Sequence, residues 1–279
     1  MINFPYHIAR AEGRVSREIY QATLPLIVRK TIEPPRKIDI DVFAYSGEGA
    51  LPEQVASIRS FLRCCGRPKR FTVVSDGTYS PESIQLLEGI DSSVTVKQFA
   101  TIFPAITSTK LQSYLTAHPT GKQLALIMSL PLNDPALYVD SDVLFFSGAA
   151  ELGARAATPN APAYYLPDCQ FSGDPRLLFD VSEQQEPVNT GALLLFEKLD
   201  WSLSIDRFLK LDGEPSFFTN QTMTHLAMHA NRARPLDTAK YVLRLDDQFI
   251  YRDKYANASL VMRHYVNPVR HKFWTHFAR

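Results

Sequence analysis

The sequence has no apolar run long enough to cross a bilayer. Its longest apolar stretches, such as LALIMSLPL, stop far short of the roughly 20 residues a spanning helix needs. The opening MINFPYHIAR lacks the apolar h-region of a secretory signal, so no signal peptide is expected. Cysteine is scarce: Cys64, Cys65 and Cys169 are odd in number, two are adjacent, and no CxxC spacing occurs. That argues against a cysteine zinc cluster or a disulfide framework and points to a reducing, cytoplasmic setting. A charge excess is missing too. Lys and Arg number 30 against 29 Asp and Glu, a formal net charge of +1. No bulk attraction to nucleic acid follows, and no nucleic-acid partner is expected. No internal repeat or low-complexity tract stands out.

What is present is core. Of 279 residues, 45% are hydrophobic and 11% aromatic, enough for one large domain or a domain with an added lobe. Residues 1–37 read as an N-terminal helical extension, with Val15, Ile19, Leu26 and Ile27 among charges and EPPRK punctuating the end. The segment carries seven basic and three acidic residues. It is expected to be dispensable for chemistry, and to be either a helix packed on its own domain or a basic amphipathic segment in peripheral contact with an anionic membrane or a partner.

From residue 38 the pattern alternates. IDIDVFAYSG reads as a strand, LPEQVASIRSFLRCC as a helix and RFTVVSDG as a second strand. SPESIQLLEGI reads as a helix capped by Ser80 with Pro81 first, and SVTVKQF as a third strand. A helical stretch with Lys122, Leu126 and Leu130 leads into ALYVDSDVLFF, read as a fourth strand. Further on, AYYLPD and PVNTGALLLF read as strands, and WSLSIDRFLKL and SFFTNQTMTHLAMHA as helices. This predicts an α/β fold with a mixed, mostly parallel sheet flanked by helices. Ligands of such sheets sit beyond the C-terminal strand ends, where SG, SDG and DSD all fall and should converge.

Asp140 and Asp142 are the anomaly in ALYVDSDVLFF. Two apart on one strand, they point the same way, and two neighbouring carboxylates repel. Three arrangements accommodate them: a divalent metal, a nearby Lys or Arg, or a strand end in solvent. The apolar flanks ALYV and VLFF speak against the last.

Four further segments accompany the pair: Lys122 on a helix ahead of it, NTGALLLF (Asn189 to Phe196), Gln221 in FFTNQTMTHL, and RHYVNPVRHKFW (Arg263 to Trp274). With YVDSDVLFF they make residues 38–274 resemble a nucleotide-sugar glycosyltransferase of the GT-A (Rossmann-like) fold. The likeness is distant, to the retaining glycogenin and galactosyltransferase group (family 8-like). Asp-x-Asp is that fold's metal signature. NTG is like the group's Asn-Ala-Gly, and the tail is like its His-x-x-Gly-x-x-Lys. The chain departs from the group with Asn220 for the Asp of Asp-Gln, Asn267 for the Gly and Arg270 for the Lys.

The resemblance implies a hexosyltransferase using a UDP-sugar, with retention, and Mn²⁺ or Mg²⁺ as cofactor. It places Asp140, Asp142 and His264 on the metal. Tyr45, Asp76, Lys122, Asp140, Asn189 and Arg270 fall on the donor, and Gln221, Asn189 and Arg270 on catalysis. It divides the catalytic domain into a nucleotide-sugar half (38–146) and an acceptor half with a C-terminal lid (147–279). The lid is RHYVNPVRHKFW, expected to be a loop because Pro268 disfavours helix at Asn267. The loop from Asp168 to Pro187 is expected to shape acceptor choice.

Other readings compete. His225 and His229, four apart, match a zinc pair but lack the HExxH glutamate, and fit a core edge. Asp246 and Asp247 in LRLDDQF are surface acids or supply the base of an inverting enzyme. A haloacid-dehalogenase-like phosphatase would use Asp140 as nucleophile and that later pair on Mg²⁺, but its nucleophile strand normally comes first. A nucleotidyltransferase would want a cation in the first-strand loop, where AYSGEGALPEQ has none. A non-catalytic sugar-binding protein would need neither the acid pair nor Arg270.

Overall fold

The computed structural model describes residues 3–99 and 108–275. Helix α1 (Phe4–Arg29) starts where Asn3 Oδ1 accepts from the Tyr6 amide, with Pro5 in the first turn. Then β1 (Asp41–Ser46), α2 (Leu51–Cys64), β2 (Arg70–Ser75), α3 (Pro81–Glu88) and β3 (Val94–Gln98) alternate as expected. Ser80 caps α3 through the Ser83 amide. Helices α4 (Thr109–Ala117) and α5 (Pro119–Met128) precede β4 (Ala136–Val139). Strands β1 to β4 are parallel in the order β3-β2-β1-β4.

The fourth strand differs from its sequence reading. It breaks at Asp140, and Val143–Phe145 forms β5 in a second sheet. Helix α6 (Ala150–Ala156) follows, then β6 (Tyr164–Pro167), β7 (Val188–Leu195), α7 (Ser202–Leu209) and α8 (Thr219–Ala230). Short strands β8 (Arg234–Pro235), β9 (Tyr241–Val242) and β10 (Met262–His264), and helix α9 (Arg270–Thr275), complete the described chain. Strand β7 lies antiparallel to both β4 and β6, extending the large sheet to β3-β2-β1-β4-β7-β6-β8. The second sheet is β5-β10-β9, with His264 opposite Val143.

Alternate residues of the central strands feed two cores. Val42, Val73 and Leu137 pack with α2 on one face, and Phe43, Val74 and Tyr138 with α4, α5 and α8 on the other. One expectation is corrected. The tail is not a loop: His264 ends a paired strand and Arg270 opens a helix, with Pro268 in the 3₁₀ turn between them. Helix α1 packs on the domain, one of the two arrangements its sequence allows. Tyr20 and Leu24 belong to the first core, and the Tyr20 ring lies 5.1 Å from that of Trp274 in α9. Among the described residues no helix is long and apolar enough to cross a membrane.

Candidate active site

The corner Asp140-Ser141-Asp142 passes between the two sheets and is pinned from three sides. The Asp140 amide donates to the Gly191 carbonyl of β7 at 3.0 Å, and the Val143 amide donates to the Asp140 carbonyl at 3.3 Å. The Tyr265 amide, just past β10, donates to the Asp142 carbonyl at 2.9 Å. The two carboxylates therefore converge because of the corner, not because they share a strand face.

They converge on His264. Its Nε2 lies 3.0 Å from Asp142 Oδ1 and 3.6 Å from Asp140 Oδ2. Its Nδ1 lies 3.0 Å from Asn189 Oδ1, which already accepts from the Gly191 amide at 2.8 Å. That oxygen is thereby assigned as acceptor and Nδ1 as donor. Nε2 then either shares a proton with the carboxylates or offers its lone pair to a cation. Gly191 permits the approach: a Cβ there would sit 2.2 Å from the imidazole.

Asp140 Oδ1 accepts from Gln123 Nε2 and the Tyr138 hydroxyl, each at 2.8 Å, and Gln123 Oε1 accepts from Asn220 Nδ2 at 2.8 Å. Asp142 Oδ2 accepts from Arg270 at 2.5 Å. Burial lifts the Asp140 carboxyl to about 6, with His264 opposing and Asp142 adding to the rise. Burial pushes Asp142 the same way, but the His264 and Arg270 charges overcome it and hold Asp142 at about 2. Burial would lower His264, and the two aspartates keep it above its ordinary value.

A cleft of about 380 Å³ opens over this corner. Asp140, Asp142, Asn189, Gln221, His264 and Arg270 border it. Tyr45, Asp76 and Lys122 do not. Tyr45 and Asp76 lie at the ends of β1 and β2, where Asp76 Oδ1 accepts from the Thr78 amide at 2.8 Å. Lys122 Nζ sits 5.9 Å over the Phe99 ring, which also meets the Tyr45 ring at 6.4 Å.

Among the cleft residues that sequence reasoning missed are Gln123 and Asp168. Gln123 adjoins the cationic Lys122 in sequence and carries no motif of its own. Asp168 accepts on Oδ2 from Asn189 Nδ2 and Gln221 Nε2, both at 3.0 Å. It ends β6, which runs the same way as β4, so the strand-end rule that selected Asp140 could have selected it. His225 is a core-edge residue: its Nδ1 accepts from the Val188 amide at 3.3 Å and its Nε2 meets the Glu183 carbonyl at 2.6 Å. Asp246 and Asp247 border no part of the cleft. Asp246 pairs with Lys254 at 2.7 Å and Asp247 with the buried Arg263 at 2.8 Å.

One ligand atom each from Asp140, Asp142 and His264 lies within 4.8 Å of the others. Two hard oxygens and one inward-facing nitrogen, its ring fixed through Nδ1, form a donor set that could hold a divalent cation.

No protein-family model matches the sequence, and no curated protein does. Solved structures do match. WbbM, a bifunctional glycosyltransferase in its apo form, aligns at TM-score 0.57 and 14% identity over 85% of this chain, which spans 47% of that protein. The galactosyltransferase LgtC, solved with donor and acceptor sugar analogues, aligns at 0.54 and 14% over 82% of this chain and 87% of its own. Mouse xyloside xylosyltransferase 1 aligns at 0.53 and 13% over 84% of this chain and 99% of its own. The chain has the GT-A glycosyltransferase fold.

Proposed function

We propose that this chain is a metal-dependent glycosyltransferase that moves a hexose from UDP to an acceptor, with retention at the sugar carbon. The observation that carries the reading is the meeting of Asp140, Asp142, His264 and Arg270 at one corner of a GT-A fold. A sugar nucleotide departs as a diphosphate with growing negative charge. A divalent cation, Mn²⁺ or Mg²⁺, bound at Asp140, Asp142 and His264 would neutralise that charge. Arg270, anchored to Asp142 and half exposed to the cleft, is placed to add bidentate hydrogen bonds to the same phosphates.

The nucleoside end is assigned to the ends of β1 and β2, the neighbours of β4 in the sheet. Tyr45, Asp76 and Lys122 lie there. The sugar is assigned to the opposite side, over Asn189, Gln221 and Asp168. Retention is supported by what faces that position. Gln221 is a neutral amide, and Asp168, the carboxylate beside it among the described residues, is held on Oδ2 by two amide donors, an orienting rather than a base role. The phosphatase reading loses its second aspartate pair, since Asp246 and Asp247 are engaged away from the cleft.

Thermal shift with UDP, GDP and ADP, each with and without Mn²⁺, tests this. UDP with Mn²⁺ at a hundred times its dissociation constant should add about 2.7 kcal/mol, and UDP alone far less. Failure of all three diphosphates in the presence of metal would sink the donor site. Metal-dependent release of phosphate from aryl phosphates would move the corner to phosphatase chemistry.

A further inference from the structure

Helix α2 turns two arginines towards α1. Arg59 and Arg63, four residues apart, share one face of the helix, where like charges repel. Lys30, just past the end of α1, borders the same groove of about 470 Å³. Ser16, Ile19 and Ile27 of α1 line it as well, and no Asp or Glu does. The groove shares no residue with the cleft over the Asp140–Asp142 corner.

Arg59 sets this groove apart from a solvated basic face. It is only 6% exposed, and burying a cation without a counter-charge is costly. Its Nη1 donates to the Lys30 carbonyl at 3.0 Å, and no carboxylate partners it among the described residues. Other arginines buried as deeply are paired: Arg207 with Glu183 at 2.9 Å and Arg263 with Asp247 at 2.8 Å. Burial accordingly lowers Arg59 below its ordinary value, with the Tyr20 hydroxyl opposing and Arg63 adding to the fall. Arg63 and Lys30 are exposed, and among the described residues they too have no carboxylate partner. One anion seated in the groove would serve all three cations. Two guanidinium forks and an ammonium suit a tetrahedral dianion better than a carboxylate, which brings one charge and two oxygens. The Ser16 hydroxyl adds a donor at the edge, and Ile19 and Ile27 offer an apolar wall to a small organic group.

We propose that the groove between α1 and α2 binds a phosphate group, free or on a small phosphomonoester, between Arg59, Arg63 and Lys30. This inference is independent of the sugar chemistry. It is tested by isothermal titration of the metal-free chain with inorganic phosphate and with glycerol 3-phosphate, each against chloride at equal ionic strength. Both phosphates should bind saturably and chloride should not. Tighter binding of the ester would make an organic phosphate the occupant, and equal binding the free ion. Arg63→Gln, at an exposed position, should leave the melting temperature unchanged and weaken binding about tenfold. Arg59→Gln should abolish binding. Arg270→Gln, in the cleft, should leave it as it is. Absence of saturable binding overturns the proposal. So does binding that Arg63→Gln leaves undiminished; its loss in Arg270→Gln instead would place the anion in the cleft.

Discussion

Two aspartates of one motif have opposite electrostatic duties. Asp142 is held at about 2 because, against its burial, His264 and Arg270 supply positive charge. Asp140 is lifted to about 6, by burial first. A carboxyl raised in the fold contributes stability below its unfolded value, near 3.8, and loses it as pH rises towards 6. At pH 7 the charge on Asp140 therefore works against the metal-free fold. Asp142→Asn should leave Arg270 without its carboxylate partner and His264 with Asp140 alone, and cost about 1–3 kcal/mol, a fall of several degrees in melting temperature. Asp140→Asn should keep its acceptor oxygen for Gln123 and Tyr138, remove the like charge, and leave melting unchanged or raised. Scanning fluorimetry at pH 7 without metal separates the two. Equal losses in both variants would mean that Asp140 is also a structural anion. With metal present both variants should lose Mn²⁺-dependent stabilisation. The outcome for Asp142 differs from what the sequence suggests, where only repulsion between the carboxylates is visible and the anchoring arginine lies 128 residues away.

At the level of elements, the site hangs on β10, a strand of three residues with different tasks on its two faces. His264 faces the cleft. Arg263, one residue earlier and fully buried, faces away and grips Asp247 through two hydrogen bonds of 2.9 and 2.8 Å, with Asp253 as a further partner. Lys272 of α9 donates to the Ile250 and Arg252 carbonyls at 2.8 Å each, tying the same loop to the C-terminal helix. Arg263→Met should strand Asp247 and Asp253 in the interior and cost about 3–5 kcal/mol in denaturant unfolding. A loss under about 1 kcal/mol would mean the acids reach water instead. The parallel strands β1 to β4, the helices between them and β6 and β7 were legible because each carries its own period and turn signals. The break at Asp140 was not, because ALYV and VLFF are both buried and read as one continuous run. What splits them is partner choice: β4 pairs with β7, while β5 pairs with β10 more than a hundred residues on. Local pattern cannot carry that, nor that RHYV would find an edge to pair with. Asp140, Asp142, His264 and Arg270 were legible by motif, whereas Asp168 and Gln123 join the cleft only through the packing of β6 and α5.

Across the whole molecule the two ends of the described chain lock together behind the site. Gly13 of α1 meets the His271 carbonyl so closely that a Cβ would sit 2.4 Å from its oxygen. The Tyr6 ring stands edge-on to His271 at 5.8 Å, and Tyr20 covers Trp274. Arg17 reaches Glu53 of α2 at 2.6 Å. Because α9 begins with Arg270, α1 packs on the helix that carries a cation of the cleft. The interface also has an acid-sensitive member. His271 is pushed down to about 4, by burial first and then by the Lys272 and Arg10 charges. A histidine depressed in the fold is favoured neutral, so its contribution is whole above the unfolded value near 6.5 and is lost as pH falls towards 4. Carboxylates titrate over part of that range as well, so the difference between two proteins is the useful quantity. His271→Phe keeps an aromatic ring against Tyr6 and removes the titration. Its melting temperature should fall less than the wild type's between pH 6.5 and 4, with the two curves closest at neutral pH. Parallel curves across the whole range would place acid sensitivity elsewhere and leave the α1–α9 contact a purely apolar lock.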